Sequence, residues 1–228
     1  MPREGKERKI KIVKDGPYVV SGNVPLEEKI ISLEGGNYEY RQGRKYPEAE
    51  RYTLCRCGRS KTPPCCDGSH VKEGFDGTET ASRDSYAERA TLQEGPHLSL
   101  MDDGRCASAR LCFREKGDAW DLTDRSDDPE LREEAIKAAC DCPAGRLVAL
   151  DENGRAIEPV FEPSIEILQD PEKGVSGPLY VKGHIPVESA DGGTYEVRNR
   201  ITLCRCGESA NKPFCDAAHI RARYRDEE

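Results

Sequence analysis

Short apolar–polar alternations, broken every few residues by Gly, Pro or Asp, make up most of this chain. Tyr18 to Val24 and Tyr180 to Ile185 are rich in β-formers and predict strands. Each is followed by a Gly-containing turn, Gly35-Gly36 and Gly192-Gly193. A second strand then follows each turn, at Tyr52 to Leu54 and Val197 to Leu203. The likeness is an internal repeat: Gly16 to Pro25 aligns with Gly177 to Pro186 at an offset of 161. That offset falls to 149 further on, so the first copy is 12 residues longer between its strands. Between the copies the pattern changes. A strand from His97 to Met101 leads into an Asp-Asp-Gly turn, and a strand from Arg146 to Leu150 ends at an Asn153-Gly154 turn. The intervening helix starts at Pro129, capped by Asp127 or Asp128, with Leu131, Ala135, Ile136 and Ala139 as its core face. His97 and His184 fall at strand positions and read as surface residues.

Of 228 residues, 36% are hydrophobic and 34% charged, so apolar burial is thin and bound cofactors are expected to staple small domains. A net charge of −8 argues against a nucleic-acid partner. Met1 to Lys9 is charged, with no apolar run behind it of signal-peptide or membrane-helix length, and the expectation is a cytoplasmic protein with no membrane contact. In a reducing compartment the 11 cysteines read as metal ligands rather than disulfides.

The chemistry lies in the repeat. Thr-Leu-Cys-Arg-Cys-Gly occurs at Thr53 to Gly58 and again at Thr202 to Gly207. Cys55, Cys57, Cys66 and His70 form C-x-C-x8-C-x3-H, and Cys204, Cys206, Cys215 and His219 repeat it. Three thiolates and an imidazole are soft donors that suit zinc or iron–sulfur clusters rather than magnesium or calcium. Zinc requires four donors converging on one point. The tight C-x-C pair instead suits one iron of a [2Fe-2S] cluster, with the later Cys and His on the other. Arg56 and Arg205, between the paired cysteines, are either cations offsetting cluster charge or exposed loop residues. Cys65 reads as a small packed or free thiol.

The first copy continues through Ser60, Pro64, Cys66, Asp67, Gly68, Ser69 and His70, and so resembles the CDGSH iron–sulfur domain family. Ser209, Pro213, Cys215, Asp216 and His219 match in the second copy, where Ala217 and Ala218 replace Gly-Ser. Alanine at the glycine position is unfavourable if that residue has positive φ. The resemblance implies a [2Fe-2S] cluster at each ligand set, with Ser60, Asp67, Ser209 and Asp216 shaping the cluster loops. Asp67 and Asp216 are placed to cap the short helices carrying the histidines. Single-motif relatives pair as strand-swapped homodimers, and membrane-anchored ones carry an N-terminal helix with no counterpart here. Two copies in one chain therefore imply a monomer with internal pseudo-two-fold symmetry.

Residues 84–158 carry Cys106, Cys112, Cys140 and Cys142, with Pro143 after the last. This stretch resembles a single-cluster ferredoxin whose C-x2-C-x2-C run has Ala109 in place of the middle ligand. Cys106, Cys112 and Cys142 imply a [3Fe-4S] cluster. Cys140 as a fourth ligand implies [4Fe-4S], and a cluster-free domain leaves four ordinary buried thiols. If the open corner faces residue 109, a cysteine there completes the ligand set.

The fold expected is α+β. Two small β-rich CDGSH-type domains, 1–83 and 159–228, pack as a pseudo-dimer around a ferredoxin-like α+β insert at 84–158. No nucleophile with a partnered base, phosphate loop or dinucleotide fingerprint is visible, so no enzyme is expected. Electron transfer to a redox partner protein is the expected role. The alternatives are cluster donation to an apo iron–sulfur protein, redox sensing, or a zinc-stabilised interaction module.

Overall fold

The computed structural model describes residues 7–226. It is a mixed structure made mostly of sheets, with few helices. The first copy contains β1 (Lys9–Ile12), β2 (Tyr18–Ser21), β3 (Leu26–Glu34), β4 (Asn37–Lys45), β5 (Arg51–Leu54) and α1 (Ser69–Lys72). The middle segment contains α2 (Tyr86–Arg89), β6 (Thr91–Glu94), β7 (Ser99–Asp102), β8 (Phe113–Arg114), β9 (Gly117–Asp118), α3 (Ala119–Asp124), α4 (Pro129–Cys140), β10 (Leu147–Leu150) and β11 (Ala156–Ile157). The second copy contains β12 (Ser164–Asp170), β13 (Val175–Lys182), β14 (Val187–Glu188), β15 (Arg200–Leu203) and α5 (Ala218–Arg221).

The two copies exchange strands. One sheet runs β14-β1-β2-β5 and the other β15-β13-β12-β3-β4, so the first joins three strands of the first copy to one of the second, and the other joins three strands of the second copy to two of the first. The exchanged contacts are parallel, with Ile10 opposite Val187 and Ile165 opposite Leu26. The departure begins at equivalent corners, Gly22-Asn23 and Gly183-His184, where all four residues have positive φ. Pro25 and Pro186 follow. Beyond them the chain leaves its own sheet and adds to its partner's, covering an edge that would otherwise be open. A single apolar cluster results. Ile10, Ile12, Tyr18, Val20 and Leu54 pack with Ile165, Ile167, Leu179, Val181 and Leu203, all at most 2% exposed.

Several strands escape the reading of the sequence alone, β1, β3, β4 and β12 among them. β1 lies in a Lys-rich stretch whose Ile10 and Ile12 alternate with lysines, and β12 carries polar Glu166 and Gln169 inside an otherwise apolar run. The extra 12 residues of the first copy form the long β3–β4 hairpin. Its Gly35-Gly36 turn has both φ values positive, as a two-residue primed turn requires.

In the middle segment an antiparallel sheet, β11-β10-β7-β6, is backed by α3 and α4. The α4 helix follows its sequence signals. The Asp128 carboxylate accepts from the amides of Glu130 and Leu131, Pro129 opens the helix, and Ala135, Ala138 and Ala139 are buried. Leu131 and Ile136 pack on this core less completely. His97 and His184 are exposed as expected but lie in bends rather than strands. Among the described residues no helix is long and apolar enough to cross a membrane.

Candidate metal centres

Each strand of the repeated hexapeptide, β5 or β15, runs directly into a ligand loop that folds back on it. The Cys55 amide donates to Pro64 O at 2.8 Å and the Cys66 amide to Thr53 O at 3.1 Å. Cys204 and Cys215 repeat this on Pro213 and Thr202 at 2.8 and 3.0 Å. Ser60 and Ser209 close the loop by donating to the carbonyls of Cys65 and Phe214, at 2.6 and 2.7 Å. Asp67 and Asp216 clamp it. Asp67 accepts from the amides of Lys61 and Ser69, and Asp216 from those of Ala210 and Ala218. These aspartates do not occupy the expected N-cap position. That position belongs to Gly68 and Ala217, both with positive φ and without a side-chain cap. The second copy therefore holds an alanine in a left-handed conformation that costs about 1–2 kcal/mol relative to glycine.

The donors come in pairs. Cys55 and Cys57 Sγ atoms are 3.7 Å apart, and Cys66 Sγ lies 3.4 Å from His70 Nδ1. The second copy has 3.6 Å for Cys204–Cys206 and 3.5 Å for Cys215–His219. Among the described residues no three His, Cys, Asp or Glu side chains form a group fit for a single metal ion. Soft donors in separated pairs fit a two-iron core better than a lone zinc. Backbone amides point at the sulfurs, Arg59 N–H to Cys57 and Ala217 N–H to Cys215, both at 3.4 Å, as second-shell partners of thiolates do.

The thiols respond to this environment. Burial pushes Cys57 up to about 11 and raises Cys66 and Cys215 as well, so a metal that binds there must displace their protons. In the second copy the Cys204 and Cys206 thiols share a hydrogen bond, which lowers Cys204 while Cys206 rises. His219 is depressed to about 4 by burial and by the nearby Arg205 cation. The two sites also differ in exposure. His219 and Cys215 are 4% and 3% exposed, whereas His70 and Cys66 are half-buried.

Arg56 and Arg205 are neither exposed nor directed at the sulfurs; both are 2% exposed. Arg56 donates to the carbonyls of Gly16, Gly77 and Val13. Arg205 donates to those of Gly177 and Leu168 and pairs with Asp226. Each guanidinium ties the loop between its paired cysteines to its own copy's first hairpin. The two ligand loops meet back to back, with a β-bridge between Cys57 and Cys206. Tyr18 of the first copy donates to Cys204 O and Pro213 O of the second, at 2.8 and 3.1 Å.

In the middle segment Cys106, Cys112 and Cys142 gather. Burial pushes Cys112 up to about 12, with Cys142 and Cys106 close enough to add to the effect. Burial raises the partly buried Cys142 thiol too, opposed by Arg200 and by the amides of Leu147, Arg146 and Ala144. Cys140 is engaged elsewhere, its thiol donating to Ile157 O at 3.5 Å. Ala109 is buried with Ile31 and Leu111, beside Tyr38 and Tyr40, so the β3–β4 hairpin serves as the seat of the cysteine loop. Cys65 is exposed and free.

Residues 15–71 and 176–220 match the family of iron-binding zinc fingers of the CDGSH type. The chain carries two CDGSH-type regions. Residues 94–152, between them, match a divergent 4Fe-4S mono-cluster domain. No curated protein and no solved structure matches the chain. Sequence reasoning missed Arg200 and Arg110, which join the mono-cluster domain to the second copy. The available signal was a charged residue at an inward position: Arg200 opens β15 and is 1% exposed.

Proposed function

We propose that this chain is a three-centre iron–sulfur electron carrier, a monomer whose two copies form a covalent pseudo-dimer. Cys55, Cys57, Cys66 and His70 would hold one [2Fe-2S] cluster and Cys204, Cys206, Cys215 and His219 another. Cys106, Cys112 and Cys142 would hold the third, which the matched mono-cluster family favours as [4Fe-4S]. The observation that carries this reading is the repeated pairing of donors, Cys with Cys and Cys with His, in loops pinned by serine, aspartate and buried arginine. When bound, such clusters accept and release single electrons, and replacing a thiolate by neutral imidazole raises the potential. The chain's contribution is rigidity. Backbone amides hold the sulfurs, and the loop clamps limit how far the donors shift when charge changes.

The visible spectrum of purified protein, with iron and acid-labile sulfide assays and a dithionite titration, tests the reading. Sulfide in proportion to iron and reversible bleaching support it; zinc without sulfide overturns it. The half-exposed first site favours cluster donation as a second reading, which transfer of iron and sulfide to an apo-ferredoxin would reveal. Light scattering at micromolar concentration is expected to report a monomer, because β3 and β14 already fill the edges that single-motif chains leave for a partner. An obligate dimer would contradict the exchange within one chain.

Two substitutions test the third centre. Cys140→Ala is expected to leave iron content unchanged, since that thiol is bound to Ile157 O. Ala109→Cys is expected to add no iron, because residue 109 packs on Ile31. Loss of iron in the first variant would make Cys140 a ligand, and a gain in the second would place residue 109 at the cluster.

A further inference from the structure

The mono-cluster domain is fastened to the sheet that carries the second ligand set, through β12 and β15 of the second copy and through the β3–β4 hairpin that the first copy adds to that sheet. Arg200, at the start of the strand leading to Cys204, is 1% exposed and donates to the carbonyls of Ala139, Cys140 and Cys142 at 2.7, 2.8 and 2.9 Å. It also bonds Leu147 O and pairs with Glu158 at 2.6 Å, so its charge and all its donor nitrogens are used. A cation against the last carbonyls of α4 meets the negative end of that helix. Arg110 of the cysteine loop makes a two-pronged pair with Asp170 at the end of β12, at 2.6 and 3.0 Å. Arg105 lies 4.2 Å over the Phe214 ring, next to Cys215.

At the positions 149 residues earlier, the first copy has nothing comparable. Arg51 takes the place of Arg200 and is exposed; Cys65 takes the place of Phe214 and is exposed. Cys66 and His70 are correspondingly more open than Cys215 and His219. The same ligand motif is therefore enclosed in one copy and accessible in the other, and the repeat alone gives no reason for the difference.

We propose that Arg200 is a positioning residue that locks the Cys106/Cys112/Cys142 loop against the second CDGSH-type ligand set, making that set the inner station of an electron route and the first set the one that meets partner proteins. The inference rests on the electron-carrier reading above. A continuous path supports it. Cys142 O accepts from Arg200, β15 runs from Arg200 towards Cys204, and Thr202 O in that strand accepts from the Cys215 amide at 3.0 Å. An electron leaving one ligand set arrives at the other with no bond made or broken and no proton moved. The back-to-back contact of Cys57 with Cys206 continues the route to the first set.

Holoprotein challenged with an iron chelator at neutral pH gives the test. Bleaching of the two CDGSH-type sites is expected in two phases, the first site about tenfold faster, because reaching the second requires the docked domain to open at a cost of about 1.4 kcal/mol or more. Cysteine in place of His70 assigns the fast phase and in place of His219 the slow one. Arg200→Leu is expected to bring the slow phase up to the fast rate, and Arg51→Leu to change neither. Should Arg200→Leu fail to fold, Arg110→Ala weakens the same docking from the opposite side and is expected to act in the same direction. In the dithionite-reduced protein, the paramagnetic signal assigned to the second site is expected to relax faster than that of the first, and to lose this in the Arg200 or Arg110 variant. Equal chelation rates and equal relaxation in the parent overturn the inference while leaving electron transfer intact. Two-phase chelation in a protein that donates clusters and carries no electrons overturns the electron-carrier reading and leaves the docking.

Discussion

Gly58→Ala is expected to destabilise the holoprotein by about 3 kcal/mol or more and to release iron from both CDGSH-type sites, since two costs add: a left-handed backbone and a steric collision. Gly58 has φ of +72°, and a Cβ there would sit 2.8 Å from Cys206 C and closer still to its carbonyl oxygen. Gly207 is the mirror case, with φ of +82° and a Cβ 2.6 Å from Cys57 O. Neither obstacle is a flexible side-chain end; both are the backbone of the opposite ligand loop. Relief requires the loops to separate, which displaces Cys57 and Cys206 together. For a chain of this size the loss corresponds to a thermal midpoint roughly 6–12 °C lower. Gly68→Ala is the internal control. Its φ is +87° but nothing lies within 4 Å of the added Cβ, and the second copy already carries Ala217 at the equivalent position. A cost of only about 1–2 kcal/mol is expected there. Equal midpoints for Gly58→Ala and Gly68→Ala would show that the loops do not press against one another.

The second large effect is acid lability that separates the two sites. A coordinating imidazole must be neutral at the ligand nitrogen, so protons compete with iron. His219 is depressed to about 4 by burial and by Arg205, below its ordinary value of about 6.5. Between those values the folded state binds fewer protons than the unfolded chain. This contribution to stability is therefore fully present above about 6.5 and is lost as pH falls towards and through 4. His70 is half-buried and open to solvent protons. Acidification is expected to bleach the first site before the second, in two resolved steps. His70→Cys should abolish the earlier step and lower that site's potential, while His219→Cys should alter only the later one. A single step, or an early step removed by His219→Cys, would show that burial does not protect the second site.

The ligand loops were legible in the sequence because everything that shapes them is local. Cys55 to His70 spans one turn-rich segment, and its spacing, its serine and its aspartate fix the loop through hydrogen bonds a few residues long. The roles assigned to Arg56 and Arg205 were not legible for the opposite reason. Their partners are carbonyls from 21 to 43 residues away, and nothing adjacent distinguishes a buried arginine from an exposed one. The surroundings of Ala109 were hidden likewise. Its spacing marks a vacant ligand position, and its neighbour in space is Ile31 of a hairpin 78 residues earlier.

The sequence by itself determined the donor sets, the internal repeat, the capped α4 helix and the mixed class of the fold, since each follows from short-range spacing, side-chain period or turn chemistry. Only the tertiary structure decided that β3 and β14 cross between the copies, because a parallel pairing leaves no local signature in either strand. It alone decided, too, that two ligand sets of one motif are unequal. Arg51 and Arg200 are the same residue at the same place in the repeat, and what separates them is that a third domain's carbonyls surround only the second.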